Sequence, residues 1–154
     1  MQRNMRRVVI GGTFSHLHKG HLAFLKKAFA SGDEVYVGLT TDAYVRKHKP
    51  GYAEPYAKRK NVLIKRLRGF GKPFFIMPIS DRYGPSLSND FDVIVVTSET
   101  LAAAKEINTI RRKKGLKALR IVMVRRVMAE NGIPISSSEI AKGRIDKSGV
   151  LARL

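Results

Sequence analysis

Five short runs rich in β-branched and aromatic residues recur along the chain, with helix-like segments between them. They are RRVVI (6–10), EVYVGL (34–39), PFFIMPI (73–79), DVIVV (92–96) and LRIVMV (119–124), each bounded by Gly, Pro, Asp or Ser. Several are almost continuously apolar, the pattern of strands covered on both faces. Between the first two, Leu22, Leu25, Ala28 and Phe29 recur at helical spacing, and Gly32 offers a left-handed stop. A second helix is predicted from Pro55 to Gly69. A third covers SETLAAAKEINTIRRKKG (98–115), with Glu99 in an acidic first turn, Arg111 to Lys114 in a basic last turn and Gly115 ending it. Strand, helix and strand in repetition give a parallel sheet with right-handed crossovers. The expectation is therefore a Rossmann-like α/β fold, with helices on both faces of a parallel sheet. No linker, repeat or low-complexity stretch divides the chain, so residues 1–154 are expected to form a single domain.

Charge narrows the partners. Thirty Lys and Arg oppose 12 Asp and Glu, a formal net charge of +18. Such a balance suits nucleic acid, an enzyme for polyphosphate substrates, or a solvated surface rich in ion pairs. The basic runs KRK (58–60) and RRKKG (111–115) fall on predicted helices without interleaved aromatics, and read as solvated helix faces. No specific nucleic-acid partner is expected. The absence of cysteine excludes disulfides, thiolate zinc sites and cysteine nucleophiles, and suits a reducing compartment. No stretch reaches the ~18 apolar residues of a membrane span, and the start has no apolar signal core. The expectation is a cytoplasmic protein without a membrane partner. Oligomeric state is not legible.

The stretch GGTFSHLHKGH (11–21) follows the first strand and holds three of the four histidines. In a parallel sheet, ligands bind at the carboxyl ends of the strands, which is where this stretch falls. His16, His18 and His21 could be ordinary loop and cap residues. Three imidazoles within six residues, partly extended and partly helical, are poorly placed to converge on a metal. Anion handling fits better: Gly11 and Gly12 let backbone approach a ligand, and a helix opening near Lys19 or Gly20 presents free N–H groups. His18 and His21, three apart, would point the same way and donate to phosphoryl oxygens. Near the other end, ISSS (135–138) follows GIP and opens a helix read as SSSEIAKGRI; Ser136 with Glu139 also forms a capping box.

GTF followed by HxGH after a first strand resembles the signature of the HxGH nucleotidyltransferase superfamily, and ISSS resembles that superfamily's second motif. VVIGGTFSHLHKGH, EVYVGLTTD, DRYGP before FDVIVVTSET, and GIPISSS together resemble the archaeal and eukaryotic-type phosphopantetheine adenylyltransferases, over residues 8–145. The resemblance implies transfer of AMP from ATP to 4′-phosphopantetheine, giving dephospho-coenzyme A and pyrophosphate. It implies ATP binding by Gly11, Thr13, Phe14, His18, Gly20, His21, Ser136, Ser137 and Ser138, the serines at the β- and γ-phosphates. Magnesium is expected with the ATP, held mainly by phosphate oxygens and water, and no protein metal site. The family lysine that bridges nucleophile and α-phosphate corresponds to Lys47 or Lys49 in the loop VRKHKPG, with Lys47 preferred, so that His18, His21 and Lys47 are the expected catalytic residues. Thr13, Lys47, Arg82 and Tyr83 are the expected acceptor residues, although Gly84 and Pro85 equally mark a surface turn there. Two positions depart from the family pattern: Ser15 stands where Asp is usual, and Glu139 where a basic or neutral residue is commoner. Glu139 is expected to turn back onto the Ser136 amide. Nicotinamide mononucleotide, flavin mononucleotide and glycerol 3-phosphate remain alternative acceptors, and a basic nucleic-acid-binding module the alternative class.

Overall fold

The computed structural model describes residues 5–48, 51, 53–88 and 90–151. Five strands, β1 (Arg7–Gly12), β2 (Glu34–Thr40), β3 (Phe74–Ile79), β4 (Val93–Val96) and β5 (Arg120–Met123), form one parallel sheet in the order β3-β2-β1-β4-β5. The helices are α1 (Lys19–Ala30), α2 (Asp42–His48), α3 (Tyr56–Leu67), α4 (Leu101–Lys113) and α5 (Ser137–Ala141). This is the expected Rossmann-like fold. Strand alternation splits the core: Val8, Ile10, Val93 and Val95 pack with Leu25, Ala28, Leu63 and Leu67 of α1 and α3. Val9, Ile94 and Val96 face the other way, onto Ala104 and Ile107 of α4. Since β1 pairs with both β2 and β4, the direction of strand addition reverses around it, and the carboxyl end of β1 is the natural ligand crevice.

Several local expectations are corrected. Gly11 and Gly12 are the last residues of β1 rather than a loop. Gly32 is not left-handed: α1 ends at Ala30 with Ser31 right-handed, and Gly32 serves close packing, since a Cβ there would lie 2.6 Å from Val8 and 2.7 Å from the Arg6 carbonyl. Gly115, with φ +78°, is the left-handed stop expected for α4. Glu99 lies before α4, whose first turn contains no acid. Residues 45–48 of the expected loop VRKHKPG are helical, part of α2, which opens with Asp42. α5 ends at Ala141, shorter than SSSEIAKGRI suggested.

The basic runs are not uniformly solvated. Arg59 is fully buried and Arg111 nearly so, while Lys58 and residues 112–114 are exposed. Both arginines sit on the apolar stripe of their helix: Arg59 precedes Leu63 and Leu67 at intervals of four, and Arg111 follows Ala104 and Ile107. That spacing is the signal that could have identified them.

Candidate active site

The turn from β1 into α1 is built around two imidazoles. His18 is the N-cap of α1, and its Nδ1 accepts from the amides of Gly20 (3.0 Å) and His21 (3.3 Å). In return His21 Nδ1 accepts from the His18 amide at 3.1 Å, completing a capping box made of two histidines. The rings stack with centroids 3.7 Å apart. An Nδ1 that accepts leaves Nε2 as the protonated nitrogen, so each ring is fixed as an Nε2–H donor. Burial first, then the charges of Arg126 and His16, push the His18 pKa down to about 4, and the ring is neutral at physiological pH. Gly20 makes this geometry possible, because a Cβ there would come within 2.8 Å of the His18 ring.

One expectation about this turn fails. The first-turn amides are not free for an anion: Lys19 donates to the Lys147 carbonyl (2.9 Å), Gly20 and His21 to His18 Nδ1, and Leu22 to the His18 carbonyl. Contact with an anion therefore falls to side chains, chiefly imidazole Nε2–H groups.

Two cavities meet here. The first, about 390 Å³, takes in all nine residues expected to bind ATP: Gly11, Thr13, Phe14, His18, Gly20, His21 and Ser136 to Ser138. The second, about 290 Å³, lies against β1 to β4 and α4, and its lining includes Thr13, Arg82 and Tyr83, with Thr40, Tyr44 and His48 in addition. Gly11, Gly12, Thr13, Glu99 and Thr100 belong to both. Arg82 and the Tyr83 hydroxyl both reach Glu106 of α4. Lys47 is exposed and lines neither cavity; α2 instead directs Tyr44 and His48, stacked at 4.1 Å, into the second. Lys49 lies outside the described residues. His16 lines neither cavity.

Residues 9–143 match the model of the cytidylyltransferase-like family. The chain belongs to the cytidylyltransferase-like family. It is 44% identical over 154 residues to the phosphopantetheine adenylyltransferase of Methanosarcina mazei, covering 97% of this chain and 99% of that one. It is 39% identical over 150 residues to the protein of the same name from Methanothermobacter thermautotrophicus, covering 97% and 91%. Among solved structures, a protein with unknown function from Archaeoglobus fulgidus shares 34% identity at a TM-score of 0.69, over 77% of this chain and 88% of that one.

Within this cytidylyltransferase-like chain, the two departures from the family motif are absorbed locally. Ser15 is buried, its Oγ accepts from the Glu54 amide at 2.8 Å, and it lines neither cavity. Glu139 does not return to the Ser136 amide. Its amide donates to Ser136 Oγ (3.3 Å), while its carboxylate pairs with Arg144 at 3.2 Å and faces away from the first cavity.

The sequence motifs also missed the residues that hold the turn in place. Phe14 and His16 have φ of +48° and +49°, left-handed values that cost a non-glycine residue roughly 1–2 kcal/mol each. Arg59 compensates from beneath: its Nε donates to the Glu54 carbonyl (2.7 Å), and its terminal nitrogens to the Thr13 carbonyl (3.0 Å) and Asp42 (3.1 Å). Glu54 in turn accepts from the His16 amide at 2.7 Å and from Lys58 at 2.8 Å. Burial would raise the Glu54 pKa, but the Lys58 and His16 contacts outweigh it and hold the carboxyl below its ordinary range. On the opposite wall Ser137 Oγ donates to the Ser15 carbonyl at 2.5 Å. Arg126, half-buried and paired with Glu99 at 2.9 Å, adds a cation to the first cavity.

Proposed function

We propose that this chain transfers AMP from ATP to 4′-phosphopantetheine, giving dephospho-coenzyme A and pyrophosphate. The observation that carries the reading is the junction of the two cavities at Gly11, Gly12 and Thr13 on one side and Glu99, paired with Arg126, and Thr100 on the other, where a nucleotide and a second phosphorylated ligand would meet end to end. The relatives bearing the name of this activity support the choice of acceptor.

The chemistry asks little of the protein beyond positioning and charge. A phosphate monoester with a second pKa near 6 is largely dianionic at neutral pH, so its oxygen attacks the α-phosphorus without a general base. The bond from the α-phosphorus to the bridging oxygen breaks, and pyrophosphate leaves with the electron pair. Nε2–H groups of His18 and His21 and the Thr13 hydroxyl would donate to the α- and β-phosphates, and Ser136, Ser137 and Ser138 to the far end of the triphosphate. Arg82 and Tyr83 would contact the acceptor. Lys47, exposed one residue before His48 at the edge of the second cavity, is proposed to meet the acceptor phosphate. Magnesium would arrive with the triphosphate, carried by phosphate oxygens and water; among the described residues no three metal-ligating side chains converge. No helix is long and apolar enough to cross a membrane among the described residues. The reading implies a cytoplasmic enzyme.

The test is pyrophosphate release with ATP and a panel of acceptors. Turnover with 4′-phosphopantetheine should exceed that with nicotinamide mononucleotide, flavin mononucleotide or glycerol 3-phosphate. Preference for another acceptor overturns the assignment of substrate and leaves the family intact.

A further inference from the structure

We propose that Thr40 is a positioning residue: with Arg59 behind it, it sets the direction of the Thr13 hydroxyl so that the Thr13 proton is presented to the reacting phosphates. The inference rests on the adenylyl-transfer reading above. It concerns a residue to which the stretch EVYVGLTTD assigns no role, and an effect that only the order of donors and acceptors reveals.

Thr40 ends β2, next to β1, and is almost fully buried. Its Oγ1 donates to Thr13 Oγ1 at 3.0 Å. Arg59, with no exposed surface, donates from one terminal nitrogen to Thr40 Oγ1 at 3.4 Å and to the Thr13 carbonyl at 3.0 Å. A guanidinium has donors only, so this contact occupies a lone pair of the Thr40 hydroxyl. The single Thr40 proton is then directed to Thr13. Thr13 Oγ1 is thereby an acceptor on its Thr40 side, and its own proton is turned away from Thr40. Thr13 lines both cavities, so the side left to that proton is the junction where the two ligands meet.

The consequence is catalytic. A hydroxyl left to itself rotates and can present a lone pair to an incoming phosphate as readily as a proton. One that already accepts from Thr40 has its proton held away from that bond, on the ligand side, so less reorganisation is needed as charge builds on the α-phosphoryl group. The same guanidinium fixes the Thr13 backbone through its carbonyl, so side chain and main chain are oriented by one buried cation. Its remaining bonds, to Asp42 at the start of α2 and to the Glu54 carbonyl just before α3, tie the relay to both helices, of which α2 lines the second cavity through Tyr44 and His48.

Thr40 also lines the second cavity, so a direct role with the acceptor must be separable from positioning. The test is Thr40→Val, which keeps shape and removes the hydroxyl, assayed by steady-state kinetics with ATP and the best acceptor of the panel. Thermal melting by circular dichroism is run alongside. The positioning role predicts a fall in kcat of about tenfold, the size of one lost neutral hydrogen bond in the transition state, with KM for both substrates changed less than about threefold. The pair Thr40→Ser and Thr40→Ala gives a second reading in which both members lack the γ-methyl group: Ser should retain near-normal kcat and Ala should match Val. An unchanged kcat in Val and Ala overturns the inference, as does a rise in acceptor KM alone, which would mean that Thr40 touches the acceptor. If 4′-phosphopantetheine is not the preferred acceptor, the substrate reading falls, and the same comparison with the preferred acceptor still decides the role of Thr40.

Discussion

The two walls of the cavity proposed to hold the nucleotide are built to different standards. The near wall, residues 11–21, continues the central strand into α1, over a core that includes Val8, Ile10, Phe24 and Leu25. Its backbone is held by Arg59 and Glu54, and the amides of the first turn of α1 are occupied by protein acceptors. The far wall, residues 135–141, rests on a five-residue helix with no buried residue, above a separate cluster of Ala129, Ile135 and Ile145. Around that cluster Met128, Ile133 and Val150 stay exposed. Ser137 Oγ donates across to the Ser15 carbonyl, and beyond the far wall the Lys147 carbonyl accepts from the Lys19 amide. Local opening costs least where few apolar contacts are buried, so the far wall is the part that opens at lower cost. The groups proposed to lie nearest the reacting phosphorus sit on the other wall, over the main core.

This contrast breaks most sharply at His21. Its Nε2–H is on the fixed wall and is expected to tighten as charge develops, so His21→Ala should lower kcat by about 10²- to 10³-fold with a smaller change in KM for ATP. His16, three residues before α1 begins at Lys19 and lining neither cavity, should tolerate alanine far better. Steady-state kinetics on both variants, with circular dichroism to confirm folding, checks this. Near-normal kcat in His21→Ala together with its loss in His16→Ala would reverse the roles assigned to the near wall.

A smaller effect is expected on the far wall. Replacing Ser136 and Ser137 by alanine removes two hydroxyls from the cavity, the α5 cap and the bond to Ser15. KM for ATP should rise about tenfold, in line with one or two lost hydrogen bonds, while the acceptor KM stays within about threefold. Hydrogen exchange of amides 135–145 should accelerate in the same variant without change in α1. Equal losses for both substrates would mean that the serines serve the helix alone.

What was legible follows the same division. Contiguous features were readable: the five strands, the glycine-spaced histidines and the serine run each declare themselves within a few residues. Arg59 was hidden because its partners lie 46 residues away at Thr13 and 19 away at Thr40, and because it stands in KRK, where charge masks its place on the Leu63 and Leu67 stripe. The reading of free helix amides went wrong for a related reason. A histidine N-cap competes with the ligand for the same N–H groups, and spacing alone does not say which side of an imidazole faces inward. The short α2 was lost because its seven residues bury a single apolar side chain, Val45, too little to set a helical period.

The smallest predicted effect separates the walls by acid. In the folded protein His18 has a pKa of about 4 against an ordinary 6.5, first because it is buried and then because Arg126 and His16 lie near it. The unfolded chain takes up this proton below about 6.5 and the folded chain only near 4, so between those values the unfolded state binds more protons. Stability should therefore be complete above pH 6.5 and decline as pH falls toward 4, by roughly 1 kcal/mol per unit at most from this ring. His18→Asn keeps an N-cap acceptor for the Gly20 and His21 amides but carries no titrating group. Measured from its own value at pH 7.5, its denaturant midpoint should fall less between pH 6.5 and 4.5 than that of the parent protein. Parallel declines in the two proteins would show that His18 is not held neutral by its surroundings, and the fixed Nε2–H donor assigned to the near wall would lose its basis.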